Sequence, residues 1–315
     1  GGVLLHLFPW PVIFYVNVPI GLVSALVISR LLRGGHADQG VEERFDWVGA
    51  LLLVFSLAAL LVCLSHGYSW GYASLRTLAL AVIGLVSLGV FIYAEKRIRC
   101  PVMDLSLFTI RLFTLPVVSA VMLFITLFAV VFLMPFYLVH PCGFGVDTVG
   151  MIMVTPFVFL FFLSPLSGWF YDFLGSRFLC TLGMIFLAVG LFALSGLAAS
   201  ASITQILWRL ALIGIGTAVF LPPNSSAAMT AVPVARRGTA AATVAMARNL
   251  GMVIGVAQAG AIFNSTFSRL TGGETFRSYT DSLEPAFMSA FRWSLIAAAG
   301  VAIIGSVLAL MRGKG

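Results

Sequence analysis

Long apolar stretches alternate with short polar segments along the whole chain. Nine stretches stand out, and each is close to the roughly 20 apolar residues that a helix needs to cross a bilayer. They cover about residues 11–32, 47–65, 77–94, 112–139, 149–171, 178–199, 203–232, 239–263 and 293–311. Because a backbone inside lipid must satisfy its own hydrogen bonds, the pattern predicts nine membrane helices in an all-α polytopic bundle.

The composition agrees with this pattern, since 61% of the 315 residues are apolar and only 9% are charged. A soluble domain is nearer half apolar and about a quarter charged. The composition therefore excludes an ordinary soluble globule, and it excludes disorder, which needs low hydrophobicity and high charge. The net charge of +7 could point to nucleic acid. Basic loops of a membrane protein explain it better, so we expect no nucleic-acid partner.

The basic residues also predict an orientation. If the loop after the first stretch is cytoplasmic, twelve basic residues fall inside, namely Arg30, Arg33, Arg44, Lys96, Arg97, Arg99, Arg111, Arg177, Arg236, Arg237, Arg312 and Lys314. Four fall outside, namely Arg76, Arg269, Arg277 and Arg292. This positive-inside bias predicts an odd number of spans with a cytoplasmic C-terminus. We expect a multi-pass protein of the plasma (inner) membrane.

Neither a metal site nor a catalytic site is predicted. The four cysteines and four histidines are too scattered for a metal cluster or a disulfide scaffold, and we expect no cofactor. One G-x-S-x-G match occurs at residues 67–71, but a nucleophile elbow needs a strand before it and a helix after it. This copy lies in a turn between two apolar stretches, so we expect no enzyme.

Polar side chains within the apolar stretches are candidates for lining a substrate cavity. A charge at membrane depth costs about 2.5–3.5 kcal/mol on insertion scales, so it persists where it faces a cavity or a partner. The candidates are Arg209, Asn224, Arg248 and Asn249. Arg248 could instead pair with a carbonyl or lie at the interface, and Arg209 could snorkel outward. Asn224 follows a proline pair that either breaks the helix at a substrate site or merely kinks it.

A stripe of small residues in the eighth stretch predicts close helix packing. Ala247, Gly251, Gly255 and Ala259 recur every four residues and share one helix face. Small residues let two membrane helices approach closely. We therefore read the stripe as a packing surface and not as a binding site.

The short loop between the fifth and sixth stretches carries a charge cluster. Gly168 would allow close helix packing, Asp172 would cap the next helix, Gly175 would make the tight turn, and Arg177 could pair with Asp172 or a neighbouring helix. Such a cluster can latch two bundles in one conformation. The alternative is that these residues form an ordinary polar turn without a latch role.

The loop pattern G-x-x-x-D-x-x-G-x-R resembles the cytoplasmic-loop signature of the major facilitator superfamily in its second-half copy. Phe173 departs from it, because the family often has a basic residue there. Further segments resemble the fourteen-span drug:proton antiporter subfamily of that superfamily. They are Trp10 to Gly21, Phe45 to Gly49, Pro101 to Arg111, Leu221 to Asn224, Val232 to Gly238 and Ala247 to Gly251, with a looser likeness in Arg209, Gly214 and Gly216.

The resemblance implies that the nine stretches are helices six to fourteen of such a protein. Residues 1–33 would end the first bundle, 34–111 would form two linking helices with cytoplasmic connectors, and 112–315 would form a complete second six-helix bundle. The fold would be of the major-facilitator type and incomplete at the N-terminus, because the chain opens at Gly1-Gly2 without the first five helices.

The resemblance also implies a function, namely efflux of amphipathic compounds in exchange for protons. The implied partners are a small amphipathic substrate, protons, the lipid bilayer and the missing N-terminal bundle. The acids near the stretches lie at their ends, at Asp46, Glu95, Asp147 and Asp172, so the titrating group is expected in the missing half. Efflux of one metabolite or siderophore-like solute, and a non-transporting sensor on the same fold, remain alternatives.

Overall fold

The computed structural model describes residues 11–31, 46–71, 74–98, 104–274 and 280–312, and all regular secondary structure in these ranges is helical. The predicted all-α fold is therefore confirmed. The loop between the first and second stretches (residues 32–45) lies outside the described residues, and so do Cys100, Arg277 and Lys314.

Nine long helices form the described part. A single turn, Val12–Tyr15, precedes the first of them. In chain order they are α1 (Asn17–Leu31), α2 (Trp47–Trp70), α3 (Leu75–Glu95), α4 (Arg111–Val139), α5 (residues 146–174), α6 (residues 176–195), α7 (Ile203–Thr230), α8 (Arg237–Thr271) and α9 (Glu284–Leu310). Helices α5 and α6 are the two parts of the run Val146–Ser195, which breaks at Gly175. Three short 3₁₀ helices cover Leu105–Thr109, Val234–Arg236 and Asp281–Leu283.

Within the described ranges, six helices are long and apolar enough to cross a membrane when Val146–Ser195 counts as one. Its two parts are each about as long as the roughly 20 residues that a span needs. Two further apolar segments, Asn17–Arg30 and Trp47–Cys63, are shorter. The number of nine spans stays a prediction.

One loop is shorter than the sequence predicts. We expected a polar loop from Asn264 to Arg292, but α8 continues to Thr271 and α9 already begins at Glu284. The end of α8 is set by Gly272, whose φ of 72° is left-handed and which donates its N–H to the carbonyl of Ser268. Polar residues at both ends of the expected loop instead extend the two helices, since hydrogen bonding within a helix tolerates a polar face.

Helices α4 to α9 pack into one bundle with aromatic side chains at one end. Tyr137 of α4 is fully buried there, and its hydroxyl donates a hydrogen bond of 2.6 Å to the carbonyl of Ala198 between α6 and α7. Its ring stacks on Phe291 of α9 at 4.9 Å between centroids. This end is called the Tyr137 end, and it joins α4, α9 and the α6–α7 turn.

The opposite end, called the Asn224 end, is where α4 and α8 begin and α7 and α9 finish. Its core contains Leu107 of the connector before α4, together with Phe113 of α4, Val232 after α7 and Val244 of α8. Leu107 has no exposed surface. The connector 104–110 is therefore part of the bundle and not a free linker.

Helix α7 approaches both α5 and α6 closely because of two glycines. A Cβ atom at Gly214 would stand 2.6 Å from the carbonyl oxygen of Pro156 on α5. A Cβ atom at Gly216 would stand 2.7 Å from the carbonyl oxygen of Gly183 on α6. Neither position has room for a side chain, which explains the Gly-x-Gly spacing.

Helices α2 and α3 pack against each other as a hairpin, and α2 also contacts α8. Gly84 of α3 fits against Leu60 of α2, where a Cβ atom would stand 2.8 Å from Leu60 Cγ. Ser74 caps α3, since its hydroxyl accepts a hydrogen bond from the Thr77 N–H.

Candidate substrate-facing site

Asn224 lies inside the bundle, directly after the proline pair of α7, and its side chain is 1% exposed. Its Nδ2 donates a hydrogen bond of 3.2 Å to the carbonyl of Pro116 on α4. Its Oδ1 accepts a hydrogen bond of 2.5 Å from Nη2 of Arg312, just beyond α9. Both ends of the amide are used within the protein, so substrate contact by Asn224 stays a prediction that this conformation does not display.

Arg312 is buried, and the sequence did not predict this position. We counted it among the loop cations, but it is 3% exposed and its guanidinium stands 5.8 Å from the ring centroid of Phe220. Among the described residues, its Nε and Nη1 have no hydrogen-bond acceptor. A terminal arginine after an apolar stretch looks like a loop residue, and the sequence holds no signal that it turns inward.

Arg248 lies well inside α8 and reaches across to α7. Its Nη2 donates a hydrogen bond of 2.8 Å to the hydroxyl of Ser225, and its Cζ stands 5.9 Å from the ring centroid of Phe124 on α4. Its Nε is buried and has no acceptor in the described part of the chain. The neighbouring Asn249 is exposed. The carbonyl partner that we considered for Arg248 is in fact a hydroxyl.

Arg209 is separate from this group. It lies near the start of α7, where its Nε donates to the carbonyl of Ala193 at 2.9 Å and its Nη1 to that of Gln205 at 2.7 Å. Fifteen helical residues separate it from Asn224, or about 22 Å along α7. The structure therefore brings Asn224, Ser225, Arg248 and Arg312 together and leaves Arg209 at the Tyr137 end. A role for Arg209 in a substrate cavity stays a prediction.

The small-residue stripe of α8 faces α4. A Cβ atom at Gly251 would stand 2.7 Å from the carbonyl oxygen of Val121, and one at Gly255 would overlap the carbonyl oxygen of Ile125. Ala247 and Ala259 are buried in the same row. The two backbones thus meet with no space for larger side chains, and Arg248 is held next to this contact.

The loop between α5 and α6 is reduced to one residue, Gly175, whose φ of 73° and ψ of 164° break the helix. A side chain would be strained at this φ. Asp172 and Arg177 on either side are exposed, and they form no ion pair with each other. We expected Gly168 to allow close packing, but a Cβ atom there would meet no atom of the described residues within 4 Å.

A groove of about 920 Å³ lies beside this turn, lined by residues 171–178 together with Thr181, Leu182, Ile185 and Leu310. It adjoins the end of α9. A latch would hold the two bundles together in one conformation and release them in another. The latch role of Gly168, Asp172, Gly175 and Arg177 therefore stays a prediction.

A second contact at the Asn224 end was not anticipated from the sequence. Arg236, in the turn between α7 and α8, forms a salt bridge of 3.4 Å with Asp104 of the connector. The same nitrogen donates to the hydroxyl of Ser106 at 3.1 Å. The connector is thus fastened to the α7–α8 turn by a polar contact at the surface and by Leu107 beneath it.

Carboxylates are absent from the interiors of α4 to α9 as described. Asp147 and Glu284 lie in the first turns of α5 and α9, and Asp172 lies close to Gly175. The described residues also hold no group of three or more His, Cys, Asp or Glu that could bind a metal. The interior polar groups are consequently cations, amides and hydroxyls.

Long apolar helices, a packed six-helix bundle and polar side chains bridging its helices define a polytopic α-helical membrane protein. A crystal structure of a bacterial homologue of the human lysosomal transporter Spinster, inward-facing and unoccupied, has the same fold with a TM-score of 0.55. It is 15% identical in sequence, and the likeness covers 84% of this chain and 66% of that one. The Major Facilitator Superfamily model matches residues 116–314. The chain belongs to the Major Facilitator Superfamily, so it is a transporter-family protein and not an enzyme.

Two curated relatives support this assignment. The chain is 30% identical over 288 residues to the multidrug resistance protein Stp of Mycobacterium tuberculosis, covering 90% of this chain and 52% of Stp. It is 27% identical over 309 residues to the riboflavin transporter RibZ of Clostridioides difficile, covering 98% of this chain and 64% of RibZ. The chain therefore spans between about half and two thirds of the length of these relatives.

Proposed function

We propose that this chain is part of a proton-coupled efflux transporter for amphipathic compounds, of the fourteen-span type. The observation that carries the proposal is the polar junction between α7 and α8, where Arg248 and Ser225 meet inside a mainly apolar bundle of this superfamily. Polar groups at membrane depth need water, a ligand or a partner. Stp, which is named a multidrug resistance protein, supports drugs as the substrate class.

The proposal assigns parts of the chain to separate tasks. Residues 112–315 would form the second bundle, 34–111 the two linking helices, and 1–33 the end of the first bundle. Arg248 and Asn249 would line the cavity between the bundles, while Asp172, Gly175 and Arg177 would latch them. The first bundle would correspond to the length that the relatives have beyond this match, and it would hold the proton-coupling group. Alternating access needs both bundles, because the site lies between them.

The test is efflux from cells of a pump-deficient strain that express the full-length protein. We expect raised resistance to several unrelated amphipathic drugs and energy-dependent dye efflux that an uncoupler abolishes. The control is the same strain with the empty vector. Unchanged susceptibility and no efflux of any dye would contradict the proposal.

Transport of one metabolite is a second candidate, and RibZ, named a riboflavin transporter, favours it. The two candidates differ in breadth, since a metabolite exporter should move one solute and leave the drug panel unchanged. Counterflow in vesicles separates both from a non-transporting sensor, which would exchange no solute.

A further inference from the structure

A groove lies between α8 and α9 at the Tyr137 end, and neither the transport proposal nor the latch uses it. It has a volume of about 510 Å³ and is lined by Ile262, Ser265, Thr266 and Arg269 of α8 together with Trp293, Ile296 and Ala297 of α9. On the buried side of the same two helices, the ring of Phe263 packs edge-on against Phe287 at 5.1 Å between centroids. The helices are thus joined on their buried side, and the groove opens on their other side.

The groove changes from polar to apolar along the helix axes. Arg269 lies in the last turn of α8, and Ser265 and Thr266 lie about one turn further into the bundle. Ile262 follows another turn inward, and Ala297 of α9 lies at the apolar end. The order from the helix end inward is therefore a cation, hydroxyls and hydrocarbon. A phospholipid has the same order, since its phosphate is followed by the glycerol esters and then by the acyl chains.

Arg269 has no counter-ion within the described part of the chain. It is exposed, and it forms neither an ion pair nor a side-chain hydrogen bond with the described residues. No acid is among the described residues that line the groove. A guanidinium can bind phosphate oxygens through two parallel hydrogen bonds. The carboxyl end of a helix also favours a cation, which accounts for an arginine there but not for the hydroxyls and the apolar floor beside it.

The surroundings of the groove favour a lipid over a water-soluble phosphate. Trp293 is 56% exposed, and tryptophan is enriched where the lipid headgroups meet the hydrocarbon. Further along α9, Ile303, Ile304 and Val307 are each about half exposed. The same helix therefore continues from the groove as an apolar surface that acyl chains can cover.

We propose that this groove binds one anionic phospholipid, with its phosphate on Arg269 and its acyl chains against Ile262 and Ala297. The hydroxyls of Ser265 and Thr266 contact its glycerol region. Phosphatidylcholine has the same phosphate but also a quaternary ammonium, which the positive charge of Arg269 repels, so the anionic lipid binds better. This site goes beyond the proposed transport function, because it depends neither on the substrate nor on the latch.

The test measures occupancy of the groove by fluorescence quenching, because Trp293 lines it. The full-length protein in detergent micelles is titrated with phosphatidylglycerol or phosphatidylcholine that carries bromine on its acyl chains, and the Trp293 signal is the difference from Trp293→Phe. We expect half-quenching at an about tenfold lower mole fraction of phosphatidylglycerol, the scale of a hydrogen bond to a charged group. Arg269→Gln should remove this preference. Arg237→Gln, which removes an exposed arginine from the other end of α8, is the matched control and should keep it.

A competition experiment does not depend on whether Arg269→Gln folds. Unbrominated phosphatidylglycerol should restore the Trp293 fluorescence that the brominated lipid quenches, and glycerol phosphate at the same concentration should not. Recovery with glycerol phosphate would indicate a site for a free phosphate and would overturn the proposal. Equal quenching by the two lipids, or an unchanged preference in Arg269→Gln, overturns it as well. So does the absence of quenching by either lipid, because another part of the full-length protein would then cover Trp293.

Discussion

Arg312 and Asn224 are 88 residues apart in the chain and are joined by a hydrogen bond of 2.5 Å between Nη2 and Oδ1. The bond places a cation inside the bundle, where the end of α9 meets α7. Because Asn224 also donates to the carbonyl of Pro116, the three helices α4, α7 and α9 share one buried polar contact. This contact gives the Asn224 end a fixed geometry that apolar packing alone would not impose.

Removing the acceptor should destabilise the protein. In Asn224→Ala, Arg312 keeps its burial but loses its partner, and a hydrogen bond to a charged group contributes about 1.5–3 kcal/mol. We expect a loss of that size in the free energy of unfolding, observed as a lower melting temperature in detergent. Asn224→Asp keeps the acceptor for Arg312 and adds an opposite charge, but it loses the hydrogen bond to the Pro116 carbonyl, so it should melt between Asn224→Ala and the wild type. Equal melting temperatures for Asn224→Ala and the wild type would contradict this role.

The packing of α8 on α4 can be tested with one methyl group. Gly255→Ala would push a Cβ atom into the carbonyl of Ile125, and overpacking costs about 1–3 kcal/mol. Gly300→Ala in α9 is the control, since a Cβ atom there meets nothing within 4 Å and should be neutral or slightly stabilising. The measurement is the amount of monodisperse protein after solubilisation. Equal amounts of monodisperse protein for the two variants would contradict the close contact between α4 and α8.

The connector should depend on its buried leucine more than on its ion pair. Leu107→Ala removes a fully buried side chain and should cost about 2–5 kcal/mol. Asp104→Asn breaks a salt bridge whose side chains are 24% and 54% exposed, so it should cost less than about 1 kcal/mol. Thermal melting of the two variants side by side gives the order. A larger loss of melting temperature for Asp104→Asn than for Leu107→Ala would show that the ion pair, and not the leucine, stabilises the connector.

The latch proposal predicts an effect on transport that stability does not explain. Asp172→Asn in the full-length protein should lower transport per molecule more than it lowers membrane abundance, because a latch shifts conformational populations. Asp147→Asn, in the first turn at the other end of α5, removes the same charge and serves as the control. The measurement is dye efflux normalised to protein amount. Transport per molecule equal to wild type for Asp172→Asn would exclude the latch.

The proposed orientation can be tested with an impermeant thiol reagent on single-cysteine variants. Ser200→Cys, at the exposed α6–α7 turn, should label from outside the cell, and Val234→Cys, at the exposed α7–α8 turn, should not. The native Cys142 is a poor reporter, because burial raises the pKa of its thiol and lowers the reactive thiolate fraction. Labelling of Val234→Cys alone would reverse the topology.

Much of the helical architecture follows from the sequence because the bilayer limits what a chain can do. Apolar stretches of about 20 residues must form helices in lipid, and the structure has helices at all nine stretches. Gly175 was expected as the turn between α5 and α6, and its left-handed φ is the reason glycine is needed there. The every-fourth-residue spacing of Gly251 and Gly255 likewise gives their shared face without knowledge of the partner helix.

The tertiary structure decided which residues meet. Arg312 and Asn224, Arg236 and Asp104, and Arg248 and Ser225 come from different helices or loops, and nothing in their local sequence pairs them. The same holds for Leu107, which reads as a connector residue and lies in the core. The local sequence pattern predicts which segments of the backbone form helices and lie in lipid. The partner of a polar side chain depends on how distant helices pack, and that is set by the shape of all their surfaces together.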